Sequence, residues 1–85
     1  MIEHFLKTWP EFYQAVKSSE KTFEFRQEDN RFFEVGDILT LQEFLPIQKV
    51  YTGCQLSKRA TYVLRGKPFV PEGFVIMSLG DVPDA

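Results

Sequence analysis

Short segments in which apolar and polar side chains alternate predict a domain built mainly of β-strands. The clearest is "KTFEFR", in which Phe23 and Phe25 alternate with Thr22, Glu24 and Arg26. Because successive side chains of a strand point to opposite faces, one face should be apolar and the other polar and charged. Strands are expected at residues 4–7, 21–27, 38–44, 55–64 and 74–79.

One helix is predicted over "TWPEFYQAVKSSE", between the first two strands. Thr8 is expected to cap this helix, with Pro10 in its first turn and Glu11 completing a capping box. The buried stripe expected at helical spacing comprises Phe12, Ala15 and Val16. A strand, a helix and then further strands with short connections favour an α+β, mostly β fold. We expect a small β-barrel with its one main helix packed across an opening.

The apolar faces of the strands are expected to form a single barrel core. The side chains predicted to point into it are Phe23, Phe25, Leu39, Leu41, Tyr62, Leu64, Val75 and Met77. This arrangement places Glu24 and Arg26 on the opposite face, about 6.5–7 Å apart along the strand. Charges beside an aromatic core cost free energy unless they are paired. Spacing alone therefore leaves two interpretations, a solvated Glu–Arg pair or the floor of a binding site.

Composition limits the domain organisation and the class of partner. Eighty-five residues form a single domain, 1–85, and 10 basic against 12 acidic residues give a formal net charge of −2. A broad basic face for duplex nucleic acid is therefore not expected. The single Cys54 leaves no internal disulfide, and no apolar run approaches the roughly 20 residues that span a bilayer. The first residues lack a signal-peptide pattern, so we expect a soluble cytoplasmic protein.

Metal and cofactor chemistry has little support in the sequence. One histidine, His4, and one cysteine cannot supply the nitrogen and sulfur ligands of a zinc site. The five glycines are scattered singly, so no glycine-rich phosphate loop is present. We therefore expect neither a metal nor a cofactor.

The segment "SEKTFEFR" resembles the signature of the ASCH domain, which reads Gly, any residue, Lys, two of any kind, Glu, any residue and Arg. Lys21, Glu24 and Arg26 match the three charged positions, and Ser19 stands where the glycine usually is. The motif follows a helix, as it does in that family. The resemblance thus singles out Glu24 and Arg26 on the charged face that the alternation had identified. It adds Lys21, which has the parity of Phe23 and Phe25 and is expected at the entrance of the strand.

The likeness extends along most of the chain, from Leu6 to Gly66. In order, "LKTWPEFYQAV", "KTFEFR", "NRFFEVGDILTLQEF", "YTG" and "TYVLRG" look like a small bacterial and phage family of unnamed function, grouped with ASCH and often described as RNA-binding. The resemblance implies a PUA-like β-barrel with a cleft between helix and barrel. It also implies that Lys21, Glu24 and Arg26 form the floor of this cleft, with Lys7 beside them.

The first functional hypothesis is a binding module for RNA or a nucleotide, and not an enzyme. Lys7, Lys21 and Arg26 would meet phosphate or carbonyl oxygens, and Glu24 would orient Arg26 and select hydrogen-bond donors. Trp9 would offer a stacking surface to a base, although its position at the first turn favours a structural role in which it holds the helix on the barrel. The acidic balance favours a footprint of a few nucleotides over a long duplex.

Two alternatives remain open. Some ASCH-like barrels hydrolyse the acyl amide of acetylated cytidine, and an amidohydrolase here would use Glu24 as general base and Lys21 to stabilise negative charge. In those barrels a threonine follows the motif lysine by three residues, whereas this chain has Glu24 there. The second alternative is a protein-interaction adaptor, for which the apolar hairpin from Phe44 to Tyr51 would supply the surface.

Overall fold

The computed structural model describes residues 1–83, which form one five-stranded sheet and one helix. Asp84 and Ala85 lie outside the described residues. The elements in chain order are β1 (Glu3–Thr8), α1 (Pro10–Lys17), β2 (Phe23–Gln27), β3 (Ile38–Leu45), β4 (Val50–Leu64) and β5 (Phe74–Gly80). The predicted strands and helix are all present, and β4 starts five residues before its predicted start at residue 55.

The sheet is curled into a half-barrel with two edges. Its strand order is β1-β3-β4-β5-β2, so β1 and β2 stand at the two ends. β1 pairs with β3 in parallel, and the other neighbours pair antiparallel. The expectation of a mostly β domain with one helix is confirmed. The gap between β1 and β2, which we call the seam, becomes important for the candidate site.

The core lies on the concave side of the sheet, and four of the predicted core side chains are fully buried there. These are Leu39, Leu41, Val75 and Met77. The helix packs against β3 and contributes Tyr13 and Val16 to the same cluster. The prediction that Phe12 belongs to the buried stripe is wrong, because Phe12 is about half exposed and its neighbour Tyr13 points inward instead.

The predicted faces of β2 are reversed. Phe23 and Phe25 are 46% and 45% exposed, whereas Glu24 is buried. The cause is the register with β5, in which Glu24 lies opposite Met77 and Arg26 opposite Val75, both on the core side. Alternation defines two faces without saying which is buried, and here the charged face is stabilised by pairing of its side chains.

A β-bulge reverses the outer part of β4. Ala60 pairs with Leu79 but Tyr62 pairs with Ser78, so one extra residue is inserted between the two pairs. The prediction that Tyr62 and Leu64 point into the core is therefore wrong. Both are exposed, and Val63 takes the inward position opposite Met77.

The helix starts without the predicted threonine cap. It begins at Pro10, and Trp9 occupies the N-cap position without a side-chain capping hydrogen bond. Thr8 is the last residue of β1 and is buried, and its hydroxyl donates to the carbonyl of Leu6. The capping prediction is wrong because the strand runs directly into the helix and turns this hydroxyl toward the sheet interior.

The turn from α1 to β2 places Ser19 in the left-handed region, with φ of 67°. This is the position where the ASCH signature has glycine. The turn lets the backbone N–H of Lys21 return to the carbonyl of Ala15 at 2.9 Å. A residue with a Cβ adopts this conformation at a cost of about 1 kcal/mol, and the chain accepts that cost here.

We expect Ser19→Gly to raise the free energy of unfolding by about 0.5–1 kcal/mol, because glycine relieves the left-handed conformation. Chemical denaturation measures the change. Ser18→Gly is the matched control, because Ser18 has a helical φ of −84° and its hydroxyl is hydrogen-bonded to Ala15. Stabilisation by both substitutions, or by neither, would contradict the assignment of strain to Ser19.

The segment between β2 and β3 is anchored by a buried His4–Asp37 pair. Nε2 of His4 lies 2.8 Å from Oδ2 of Asp37, and the carboxylate also accepts the backbone N–H groups of Ile2 and Glu34. Burial pushes the pKa of Asp37 upward, but these hydrogen bonds outweigh it and lower the pKa. The His4 ring packs at 4.5 Å from the ring of Phe33, which holds this segment against the core.

Candidate functional site

All five candidate residues line one pocket between the start of α1 and β2, which we call the helix–β2 pocket. Its volume is about 480 Å³. This lies within the range of pockets that hold small molecules. The residues that line it are Lys7, Thr8, Trp9, Phe12, Lys21, Phe23, Glu24, Phe25 and Arg26.

The floor of the helix–β2 pocket is a carboxylate held between two cations. Nη2 of Arg26 donates to Oε1 of Glu24 at 2.8 Å, and Nε donates to the same oxygen at 3.2 Å. Nζ of Lys21 donates to the other oxygen, and also to the carbonyl of Phe23 at 2.8 Å. The Glu24 side chain is only 4% exposed, so the carboxylate lies beneath its two partners. The Lys21 ammonium reaches the carboxylate because Lys21 precedes β2 and is not bound by the alternation of its faces.

Arg26 also links β2 to β1 across the seam. Its Nη1 donates to the carbonyl of Lys7 at 3.1 Å, and its Nη2 lies 3.2 Å from the hydroxyl oxygen of Thr8. The planar guanidinium can reach a carboxylate, a carbonyl and a hydroxyl together because its five N–H groups diverge in one plane. Arg26 thus has a structural role that its position in the sequence did not reveal.

The groups left for a ligand are mainly hydrogen-bond donors. Lys21 has three N–H groups and Arg26 has five. Within residues 1–83, the hydrogen bonds just described use all but one N–H group on each of these two side chains. Glu24 was expected to select hydrogen-bond donors. Its burial beneath both cations instead makes it the group that positions them.

Four aromatic side chains form the walls of the helix–β2 pocket. Trp9 and Phe12 are each about half exposed, with ring centroids 6.5 Å apart and planes inclined by 23°. Phe23 and Phe25 are exposed to a similar extent, and the Lys21 ammonium lies 4.9 Å from the Phe23 ring centroid. Sequence reasoning missed the two phenylalanines because it assigned them to the core. It missed Phe12 for the same reason.

Lys7 takes part less directly than expected. Its ammonium lies over the ring of Phe44, 4.3 Å from the centroid, and its carbonyl accepts the Arg26 hydrogen bond. Phe44 in turn packs edge-on against Tyr51, with ring centroids 4.9 Å apart. Lys7 therefore supplies positive charge at the rim, while Lys21 and Arg26 supply it at the floor.

The hairpin expected to serve an adaptor joins β3 to β4. Ile47 at its tip is almost fully exposed, and Val50 and Tyr51 are about half exposed. Within residues 1–83, no group of three or more His, Cys, Asp or Glu side chains is placed to hold a metal ion. The one helix of this part of the chain is too short and too polar to cross a membrane.

The fold and the site together define a small, mostly β domain with an aromatic, cationic pocket beside the seam of its half-barrel. Residues 3–79 match the family described as a domain of unknown function, DUF3850, and the chain belongs to this family. The match contains the whole stretch from Leu6 to Gly66 that carried the sequence resemblance. Among curated proteins, none matches the chain.

Proposed function

We propose that the helix–β2 pocket binds one nucleotide unit, either a free nucleotide or an unpaired base of single-stranded RNA. The observation that carries this proposal is the convergence of four half-exposed aromatic rings on the Lys21–Glu24–Arg26 cluster. Aromatic side chains this large are rarely left half exposed together unless they meet a ligand or a partner. The acidic protein thus concentrates cations and flat apolar surfaces at one place.

The chemistry of the helix–β2 pocket suits a base better than an aliphatic ligand. Trp9 and Phe12 offer ring faces on which a base can stack, and such stacking contributes about 1–3 kcal/mol per base. The free N–H groups of Lys21 and Arg26 can donate to a base carbonyl or to a phosphate oxygen. Because Glu24 is buried, we expect selection for acceptor atoms on the ligand.

We further propose that the half-barrel is PUA-like and that Lys21, Glu24 and Arg26 correspond to the charged positions of the ASCH signature. Two features support this relation. Lys21 and Arg26 both donate to Glu24 just after the helix, and Ser19, at the glycine position of the signature, adopts the left-handed conformation that glycine favours. The exposed thiol of Cys54 suits the reducing cytoplasm, which is where we propose the protein acts.

Amide hydrolysis has no comparable support in the geometry. A general base must reach a water molecule in the pocket. Both carboxylate oxygens of Glu24 already accept hydrogen bonds from cations, and its side chain is almost fully buried. We therefore propose binding and not catalysis.

Replacement of Trp9 by alanine is expected to weaken the binding of a mononucleotide by about tenfold, because a stacking surface is lost. Lys21→Met is expected to weaken it by a similar factor by removing a charged donor while keeping the apolar stem. Titration calorimetry or fluorescence with UMP, CMP, AMP and GMP measures both effects. We expect nucleotides with a free carbonyl acceptor to bind more tightly than AMP.

Phe69→Ala and Lys17→Ala are the matched controls, because both side chains are exposed and neither lines the helix–β2 pocket. Thermal unfolding of each variant confirms that the fold is kept. Nucleotide affinities unaffected by Trp9→Ala and Lys21→Met would contradict the proposal, as would the absence of any nucleotide or RNA binding.

A further inference from the structure

A second pocket continues the helix–β2 pocket along the seam, and we call it the seam pocket. Its volume is about 350 Å³. It shares Lys7 and Arg26 with the helix–β2 pocket, so the two pockets meet at these side chains. The other residues that line it include Phe5, Gln27, Asp29, Asn30, Arg31 and Tyr51.

The seam pocket combines positive charge, ring faces and amides. Arg31 is exposed, and its one hydrogen bond to a described residue is a long contact of 3.5 Å from Nη1 to the carbonyl of Phe5. Tyr51 and Phe5 are each about half exposed. Three cationic side chains line this pocket, whereas Asp29 is the one acidic residue among its described lining residues.

We propose that the seam pocket is a second nucleotide subsite, so that the ligand is single-stranded RNA of at least two nucleotides. This inference rests on the proposed function of the helix–β2 pocket. A strand whose first base lies in the helix–β2 pocket would place its connecting phosphate beside Lys7 and Arg26, where the two pockets meet. The next base would lie against Tyr51 or Phe5, with Arg31 near its phosphate. Aromatic faces alternating with cations are the pattern that single strands bind.

Negative charge beside the seam pocket limits how many nucleotides the bound strand can have. A third pocket, lined by Arg31 and by the acidic side chains of Glu3 and Glu34, adjoins the seam pocket, with which it shares Arg31. Carboxylates repel phosphates, so we expect no gain from nucleotides placed there. The structure thus assigns two subsites, which agrees with the small footprint expected of an acidic protein.

The test is the dependence of affinity on ligand length. We expect the 5′-phosphorylated dinucleotides pUpU and pApA to bind roughly tenfold more tightly than UMP and AMP, respectively, because a second base stacks and a second phosphate is contacted. The trinucleotides should bind within about twofold of the dinucleotides. Fluorescence anisotropy of labelled oligonucleotides, in competition with the unlabelled ligands, measures the series at one salt concentration.

Two substitutions locate the second subsite. Arg31→Ala and Tyr51→Ala are each expected to remove most of the gain from mononucleotide to dinucleotide while leaving mononucleotide affinity unchanged. Lys17→Ala, which removes an exposed positive charge outside both pockets, should leave the whole series unchanged. Thermal unfolding checks that Tyr51→Ala keeps the fold, and Arg31→Glu gives a second variant that does not disturb aromatic packing.

The outcomes separate the two proposals. Mononucleotide binding that depends on Trp9, with no gain in the dinucleotide, would overturn the second subsite and leave the proposed function standing. The second subsite would also be overturned if the dinucleotide still bound more tightly than the mononucleotide in all three variants, Arg31→Ala, Arg31→Glu and Tyr51→Ala. Absence of binding for every ligand in the series would overturn both proposals.

Discussion

Phe33→Ala is expected to lower the free energy of unfolding by about 3–5 kcal/mol, whereas Phe32→Ala should lower it by less than about 1 kcal/mol. The two residues are adjacent in a segment without regular secondary structure. Phe33 is 1% exposed and packs into the core beside His4, whereas Phe32 is 58% exposed and has the Arg65 guanidinium over its ring, 4.2 Å from the centroid. Loss of the large side chain at position 33 would leave a cavity under the segment between β2 and β3.

Urea denaturation of the two variants measures this difference. If the free energy of unfolding falls with urea concentration at the same slope in both variants, the unfolded state is unchanged by the substitutions. Phe25→Ala is a further control, because Phe25 belongs to the exposed face of β2 and should also cost little. A loss larger at Phe25 than at Phe33 would mean that β2 buries its aromatic face after all.

Glu24→Ala is expected to lower the free energy of unfolding by about 2–4 kcal/mol, although it removes a negative charge from a protein whose net charge is −2. The reason is that Lys21 and Arg26, with side chains 17% and 24% exposed, would remain beside the core without their shared carboxylate. Arg26 would also lose the group that holds it in position to bond β1. Glu20→Ala is the matched control, because that carboxylate is exposed and should cost about 0.5 kcal/mol or less.

A double substitution distinguishes unpaired charge from lost packing. Lys21→Met in the Glu24→Gln background removes one of the two cations together with the negative charge. We expect the double variant to lose less free energy of unfolding than the two single variants lose in sum, and the difference should be about 1 kcal/mol or more. Additive losses would show that the two side chains do not interact, despite their contact in the structure.

The sequence identified the strands and the charged cluster, because both are local patterns. The alternation at residues 21–27 marked β2 and put Glu24 and Arg26 on one face, and the resemblance to the ASCH signature added Lys21 to them. The spacing could not say which face of β2 is buried, because that depends on the register with β5. Likewise the bulge between Ala60 and Tyr62 reversed the outer part of β4, and no glycine or proline stands in this part of β4 to mark it.

The wider site depends on contacts between distant parts of the chain. Arg26 and Lys7 are far apart in sequence, and the curl of the sheet alone brings β1 and β2 together. Arg31 and Tyr51, 20 residues apart, likewise line one pocket through the tertiary fold. Thr8 was assigned to the helix because its sequence suits a cap, and its contact with Arg26 follows from the curl of the sheet, which local pattern does not encode.

The seam has a consequence for how the protein behaves at high concentration. The carbonyls of Phe5 and Lys7, two residues apart on the free edge of β1, accept hydrogen bonds from Arg31 and Arg26. An unpaired strand edge invites pairing with a strand of another molecule, and charged side chains laid over it discourage such pairing. We therefore expect the two arginines, which also line the seam pocket, to reduce self-association of the domain. A variant that lacks both arginines would expose the edge of β1. If such a variant were insoluble, the cause would be this exposed edge and not the loss of ligand binding.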